Sequence, residues 1–384
     1  MPKRISKSLI VNGATLVTEE AWNAELDRKH DQLVEWMRAQ NMAGVLIRRH
    51  ENIAWLTGGA VEVRVLTPNE TGVASLLVTA AGKRYYFTTE NEAPRLGDEE
   101  FGALDFEPVI FPWYEDETNA KAAKLAGGRV GSDAPAADQT SVNLFPLRAS
   151  LGDAEIARYR WLGAQTAAAT VETLKQVGPG QSEYDLEAMT AAALLRRGIQ
   201  PSVYLYAVDQ RILKYKHAVA RGARLKEYGM LNLCSRKWGL AISITRFVHF
   251  GVLPAGLAER FHAAAQVNAA LLDATCEGAT SSQLFHVAQS AYAAQGYPGE
   301  EKFHHQGGPT GYWEREWLAT PTGTESVVDN QAFAWNPSIR GGKVEDTVLL
   351  RDGKIENLTA TPELPVIEAT AGGNSYTAAG VLVK

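Results

Sequence analysis

Apolar residues recur at helical spacing across 20–40, where Trp22, Leu26, Leu33, Trp36 and Met37 fall on one face and predict an amphipathic helix. A short apolar run at 43–47 predicts a strand. Residues 52–56 read as a turn leading into Thr57-Gly58-Gly59. Runs at 73–79 and 84–88 predict two strands joined at Gly82, and 109–113 predicts another. Alternating strands and helices predict an α/β domain over 1–150.

Beyond residue 150 the pattern changes. Ser150 or Asp153 can cap a helix carrying Ile156, Tyr159, Trp161 and Leu162 and running toward Leu174. Further helices are predicted at 183–197, ended by Gly198, at 259–276, and at 281–295, ended by Gly296. Strands are predicted at 229–234, 240–248, 331–335, 346–350 and 355–359. Helices on a largely antiparallel sheet make 151–384 an α+β domain. The Ala-, Thr- and Gly-rich tail 362–384 reads as an edge extension or a poorly ordered end.

Composition narrows the function classes. The chain has 384 residues, a net charge of −6 and 45% apolar residues, enough for two packed domains. The acidic balance gives no electrostatic case for nucleic acid or anionic membrane. The basic start MPKRISK precedes no long apolar run, so neither a signal peptide nor a membrane span is predicted. Cys234 and Cys276 are too few for a disulfide framework, and a cytoplasmic protein is expected.

Four stretches carry the candidate chemistry: MLNLCSRKWGLAISITR at 230–246, HHQGGPTG at 304–311, AWNPSI at 334–339 and KVEDTVL at 343–349. Their order and spacing resemble the creatinase, prolidase and aminopeptidase P superfamily. The eleven-residue step from Asn232 to Ser243, ahead of Ile244-Thr245-Arg246, is similar to that family's metal-binding strand pair. NIAWLTGG in the first domain resembles the family's N-terminal domain. The resemblance implies an α/β N-terminal domain plus an α+β C-terminal domain of the pita-bread fold.

The resemblance also implies a dinuclear metal cage of two Asp, one His and two Glu. Here those positions are Asn232, Ser243, Gly308, Asn336 and Glu345. No shift of register supplies the missing acids, because Asp273 is the only Asp in 210–328. Two divalent ions bring four positive charges, and one carboxylate cannot meet them. No metal and no cofactor are therefore expected.

The residues left for chemistry are titratable ones. His217, in KYKHAVA, is expected at a strand end; the resemblance places it beside substrate as the proton-transferring group, a role suited to imidazole. His304 and His305 precede a Gly-rich turn. Successive extended residues point to opposite sides, so one of them, preferably His304, is expected to face the site. Glu345 could orient His217 or act as a base, or it could be a strand-end carboxylate paired with Lys343 or an Arg. Arg315 could clamp an anionic group, with Asn232, Ser243, Gly308 and Asn336 lining the site. Arg64, with Trp55, Trp113 and Tyr114, could recognise substrate across a homodimer, as the resemblance implies. The expected function is metal-independent hydrolysis of a C–N bond in a small amide-, amidine- or urea-like molecule. The alternative is a catalytically silent peptide- or ligand-binding protein; a metal-dependent Xaa-Pro peptidase fits least.

Overall fold

A computed structural model describes residues 3–66 and 69–384, so the first two residues of the basic start lie outside it. The chain divides into two compact units. One runs to Arg158 and includes Trp238–Leu240; the other comprises Tyr159–Lys237 and Ala241–Lys384. The first is an α/β unit and the second an α+β unit.

The first unit is built on a six-stranded mixed sheet in the order Glu107–Phe111, Arg84–Thr89, Thr71–Thr79, Gly44–Arg49, Val130–Ser132, Thr140–Ser141. Leu46, Leu77, Tyr85, Phe87, Phe111, Ala122 and Val130 form a core cluster on it. The predicted first helix is Glu19–Ala39, with Thr18 Oγ1 accepting from Ala21 N at 3.2 Å. Trp22, Leu26, Leu33 and Met37 are buried along its face, while Trp36 is half-buried.

Two expectations for this unit need correction. Residues 52–56 are not a turn but belong to a helix, His50–Leu56, buried along its whole length. Its polar residues misled the reading because their partner is remote: Asp133 accepts from Arg48 N, Arg49 N and Asn52 Nδ2. The turn follows at Gly58 and Gly59, with φ of 60° and 72°. The strand expected at 109–113 is Glu107–Phe111, which leaves Trp113 and Tyr114 exposed beyond it.

In the second unit, a four-stranded sheet orders Leu382–Val383, Leu240–His249, Tyr228–Lys237 and Gln200–Val208. Another orders Gly307–Thr310, Gln331–Trp335, Asp346–Arg351 and Lys354–Asn357. The sheets are tied where Ser243 N donates to Thr347 Oγ1 at 2.9 Å and Thr347 Oγ1 donates back to Ser243 O at 2.9 Å. Helices Glu183–Leu195 and Ser281–Ala294 each start with a reciprocal capping box, Ser182 with Asp185 and Thr280 with Gln283. Arg246 serves the sheet: it is buried and donates to Thr361, Thr359 O and Asp346.

The strand Gln200–Val208 was missed, and His217 does not end a strand. It lies in an irregular segment after the short helix Gln210–Lys214. Of the two readings of the tail, the edge extension holds: Val366–Ala371 and Asn374–Ala379 form a hairpin, and Leu382–Val383 pairs parallel with Leu240–His249. No helix among the described residues is long and apolar enough to cross a membrane.

Candidate functional site

The site lies within the second unit, where the two sheets meet. Thr245 N donates to Glu345 O at 3.2 Å, which sets the Leu240–His249 strand beside the segment leading into Asp346–Arg351. Glu345 is buried at 3% exposure. Its Oε2 accepts from Thr245 Oγ1 at 2.5 Å and Asn232 Nδ2 at 3.1 Å, and Lys343 Nζ lies 3.0 Å from it. Its Oε1 accepts from Arg315 Nη2 at 2.7 Å. Burial alone would push the Glu345 carboxyl up. The Lys343 and Arg315 charges and the Thr245 hydrogen bond outweigh burial and bring it down to about 2.

Arg315 Nη1 also donates to Ser243 Oγ at 2.8 Å, and Ser243 Oγ lies 3.1 Å from Cys234 Sγ. Two of the five positions at which the resemblance implies metal ligands, Ser243 and Glu345, are thus bridged by one guanidinium, and a third, Asn232, is hydrogen-bonded to Glu345. The reading of Glu345 as an orienter of His217 or a base is superseded: the carboxylate is a saturated acceptor paired with Lys343 and Arg315. Arg315 is correspondingly committed to Glu345 and Ser243, although its buried Nε has no partner among the described residues. Asn336 is buried, and its Oδ1 has no partner among the described residues.

Gly308 lies in the strand Gly307–Thr310, which pairs with Gln331–Trp335. On its other side Glu316 N donates to Pro309 O and Ala319 N to Gly307 O, at 2.8 and 3.1 Å. A Cβ added at Gly308 would stand 2.1 Å from Trp317 O. The position at which the resemblance implies a ligand His is therefore closed by backbone. The residues present do not fit a dinuclear centre: the one carboxylate is already met by two protein cations, buried Lys343 and half-buried Arg315, and a His side chain at 308 would meet the Trp317 backbone.

Beside this neutralised cage stands a cluster of three imidazoles. His304 Nε2 lies 2.8 Å from His217 Nε2, with the ring centroids 4.7 Å apart and nearly perpendicular at 86°. His305 stacks on His304 at 4.4 Å and lies 5.8 Å from the His217 ring. Both His304 and His305 therefore approach His217, against the expectation of one. Alternation needs a straight strand, and here none exists: His304 ends the 3-10 turn Glu300–Phe303, and the strand starts only at Gly307, at a φ of 96°.

Local structure positions each ring. Lys216 Nζ donates to Glu300 Oε1 at 2.6 Å and Ser338 O at 2.9 Å, pinning the segment that presents His217. Gln306 Nε2 donates to His304 O at 2.5 Å, and Gln306 Oε1 accepts from Tyr292 OH at 2.8 Å. His304 Nδ1 lies 2.5 Å from His305 O, and a carbonyl oxygen only accepts, so Nδ1 carries the proton. Neutral His304 then presents its Nε2 lone pair to His217.

The three rings are depressed bases. Burial, then Lys343 and the neighbouring histidines, bring His304 down to about 2. Burial, then Arg315 and Lys343, bring His305 down to about 4. His217, the most exposed, is lowered by burial and Lys343. Lys343 is thus near every functional group of the cluster, and the sequence reading used it only as a partner for Glu345. The signal was present: residues two apart on an extended chain share a face, and Lys343 precedes Glu345 by two. Arg64 lies in the first unit with its guanidinium on Glu62, at 2.9 and 3.1 Å. Trp55 is core at 1% exposure, whereas Trp113 and Tyr114 form an exposed edge-to-face pair.

Comparison with known proteins gives a consistent picture. The model of metallopeptidase family M24 matches residues 157–352, and that of the creatinase/prolidase N-terminal domain matches 29–159. A search of curated protein sequences gave no match. The fold is similar to that of an Xaa-Pro dipeptidase from Bacillus anthracis, with a TM-score of 0.73 and 15% identity over 94% of this chain and 100% of that one. It is also similar to the dipeptidase PepE from Mycobacterium ulcerans, with a TM-score of 0.72 and 17% identity over 88% and 96%. The N-terminal domain of the FACT complex subunit SPT16 from Cicer arietinum gives a TM-score of 0.61 and 12% identity over 88% and 97%.

Proposed function

The chain belongs to metallopeptidase family M24, and from that premise we propose that it hydrolyses a C–N bond in a small molecule at the His217–His304–His305 cluster, without the family's dinuclear metal centre. The observation that carries this reading is the gathering of three imidazoles beside a cage that has been neutralised from within. A scaffold kept only for its shape has no need to hold three polar rings together at the cost of their desolvation.

The supporting chemistry is simple. His217 is exposed and reaches incoming substrate; His304 and His305 are partly buried behind it. His304 accepts from His217 through Nε2, which fixes the His217 tautomer and leaves its Nδ1 lone pair available. Tyr215, Val219 and Phe303 are exposed apolar side chains within two residues of the cluster and suit an apolar portion of the substrate. Glu345, Lys343 and Arg315 act as a rigid charged floor. An amide, amidine or urea-like carbon is the target class. Cytoplasmic location and a homodimeric assembly belong to the same proposal.

The test is turnover of a panel of small amides, cyclic amidines and ureido compounds by the full chain, compared with His217→Ala. Expected is hydrolysis of at least one compound, lost on substitution while the fold is retained. Two tightly held metal ions per chain, or hydrolysis unchanged in His217→Ala, would refute the reading. A second reading, a silent ligand-binding protein, is favoured by one observation: the only acidic cage position, Glu345, is consumed by Lys343 and Arg315. Saturable binding with no turnover across the panel would select it.

A further inference from the structure

We propose that His217, His304 and His305 are the protein ligands of a single transition-metal ion, at a site distinct from the five positions of the family's cage. From the functional reading this takes only that the cluster is the working part of the site. One nitrogen from each ring can be chosen so that all three lie within 4.8 Å of one another. Three nitrogens bound tetrahedrally at about 2.0–2.1 Å stand about 3.4 Å apart. The His217–His304 pair, at 2.8 Å, must open slightly, and a pair at the 4.8 Å limit must close by about 1.4 Å.

Three details support a ligand role over a chance grouping. His304 Nδ1 donates to the His305 carbonyl, the outer contact that fixes a ligating imidazole with its Nε2 lone pair outward. His305 Nδ1 is buried with no partner among the described residues. The His217 and His304 Nε2 atoms face each other at 2.8 Å with a single proton between them, and an ion would replace that proton once His217 adopts its other neutral tautomer. None of this uses a residue of the family's ligand set.

The donor set also selects the ion. Three imidazoles with no carboxylate suit zinc, cobalt, nickel or copper and give magnesium, calcium and manganese little. A three-histidine set leaves a fourth position open, the pattern of a catalytic and not a structural site. The nearby Lys343 and Arg315 charges are partly met by Glu345, and the remaining positive charge favours an anionic or polarisable ligand at that fourth position.

Full-length protein stripped with chelator is dialysed against Co²⁺ or Zn²⁺, and bound ion is measured by elemental analysis, with the visible bands of tetrahedral Co²⁺ as a second readout. One ion per chain is expected, with no uptake of Mg²⁺ at the same concentration. His217→Ala, a substitution at an exposed residue, and His305→Gln should each lower affinity by more than the roughly 10–100-fold that loss of an outer-shell partner costs. Absence of uptake, or equal uptake by folded His217→Ala, overturns the inference. Hydrolysis by a chain that binds no ion overturns it too and leaves the functional reading standing. Uptake through the three histidines with no turnover on any compound sustains it while the functional reading fails.

Discussion

Arg315 Nη2 lies 2.7 Å from Glu345 Oε1, so a protein cation occupies the side of this carboxylate that faces the Ser243 cage position. Lys343 closes the other oxygen at 3.0 Å. The group of Glu345, Arg315, Lys343 and Ser243 is thus held together by fixed charges and hydrogen bonds. Removing one partner of a buried pair leaves an uncompensated charge, which costs about 3–5 kcal/mol. Glu345→Gln is therefore expected to lower unfolding free energy by that order, because it leaves Arg315 and Lys343 with no carboxylate between them, whereas Arg315→Met leaves Glu345 paired with Lys343 and should cost less. Urea titration of both variants checks this, and a loss under about 1 kcal/mol for each would show that the ion pairs are not structural.

Gly308 gives a sharper steric prediction. Trp317 O sits 2.1 Å from where a Cβ would be, and backbone hydrogen bonds on both sides of the strand prevent an easy shift. Gly308→Ala is expected to destabilise by at least about 2 kcal/mol, within the range for overpacking a dense interior. Gly308→His should cost more and gain no metal affinity. A Gly308→Ala variant melting with the parent would place Trp317 elsewhere.

In the first unit, Glu25 sets an acid limit on stability. It is buried against Lys29 at 2.6 Å and Arg158 at 2.6 Å, with Glu155 completing the network 2.8 Å from Lys29. Burial raises its pKa, but Lys29 and Arg158 more than offset this and lower it from 4.5 to about 2. A depressed folded-state pKa contributes stability that is fully present above the unfolded value and is lost as pH falls through the folded one. Unfolding free energy should therefore drop between pH 4.5 and 2. Glu25→Gln should be less stable at neutral pH and show a shallower fall over the same window, measured by denaturant titration at each pH.

The fold was legible where local pattern and burial agree. Helix Glu19–Ala39 and strand Gln331–Trp335 follow directly from apolar spacing. Helix His50–Leu56 was hidden because its Asn52 looks like a turn residue until Asp133, 81 positions away in sequence, supplies a partner. The absence of carboxylates at Asn232, Ser243, Gly308 and Asn336 is equally legible, since it is a matter of residue identity. What stands there instead is not. The hydrogen bonds from Arg315 to Ser243 and Glu345 join residues 72 and 30 positions apart in sequence. The imidazole cluster depends on the irregular backbone between Phe303 and Gly307, where the alternation rule fails.

The same charges predict how hard it is to rebuild a dinuclear centre. Asn232→Asp with Asn336→Glu restores two carboxylates, giving three acids against Arg315 and Lys343, a net of about one negative charge to meet four positive ones. That variant is expected to hold no pair of ions. Adding Arg315→His and Lys343→Met removes both cations and leaves three uncompensated carboxylates, the first combination in which dications offset buried charge. Elemental analysis after dialysis against Mn²⁺ should find uptake only in the fourfold variant, accompanied by a rise in melting temperature when the ion is present. Uptake of two ions by the twofold variant, with both cations intact, would mean that Arg315 and Lys343 swing away from Glu345 and that the cage was never closed.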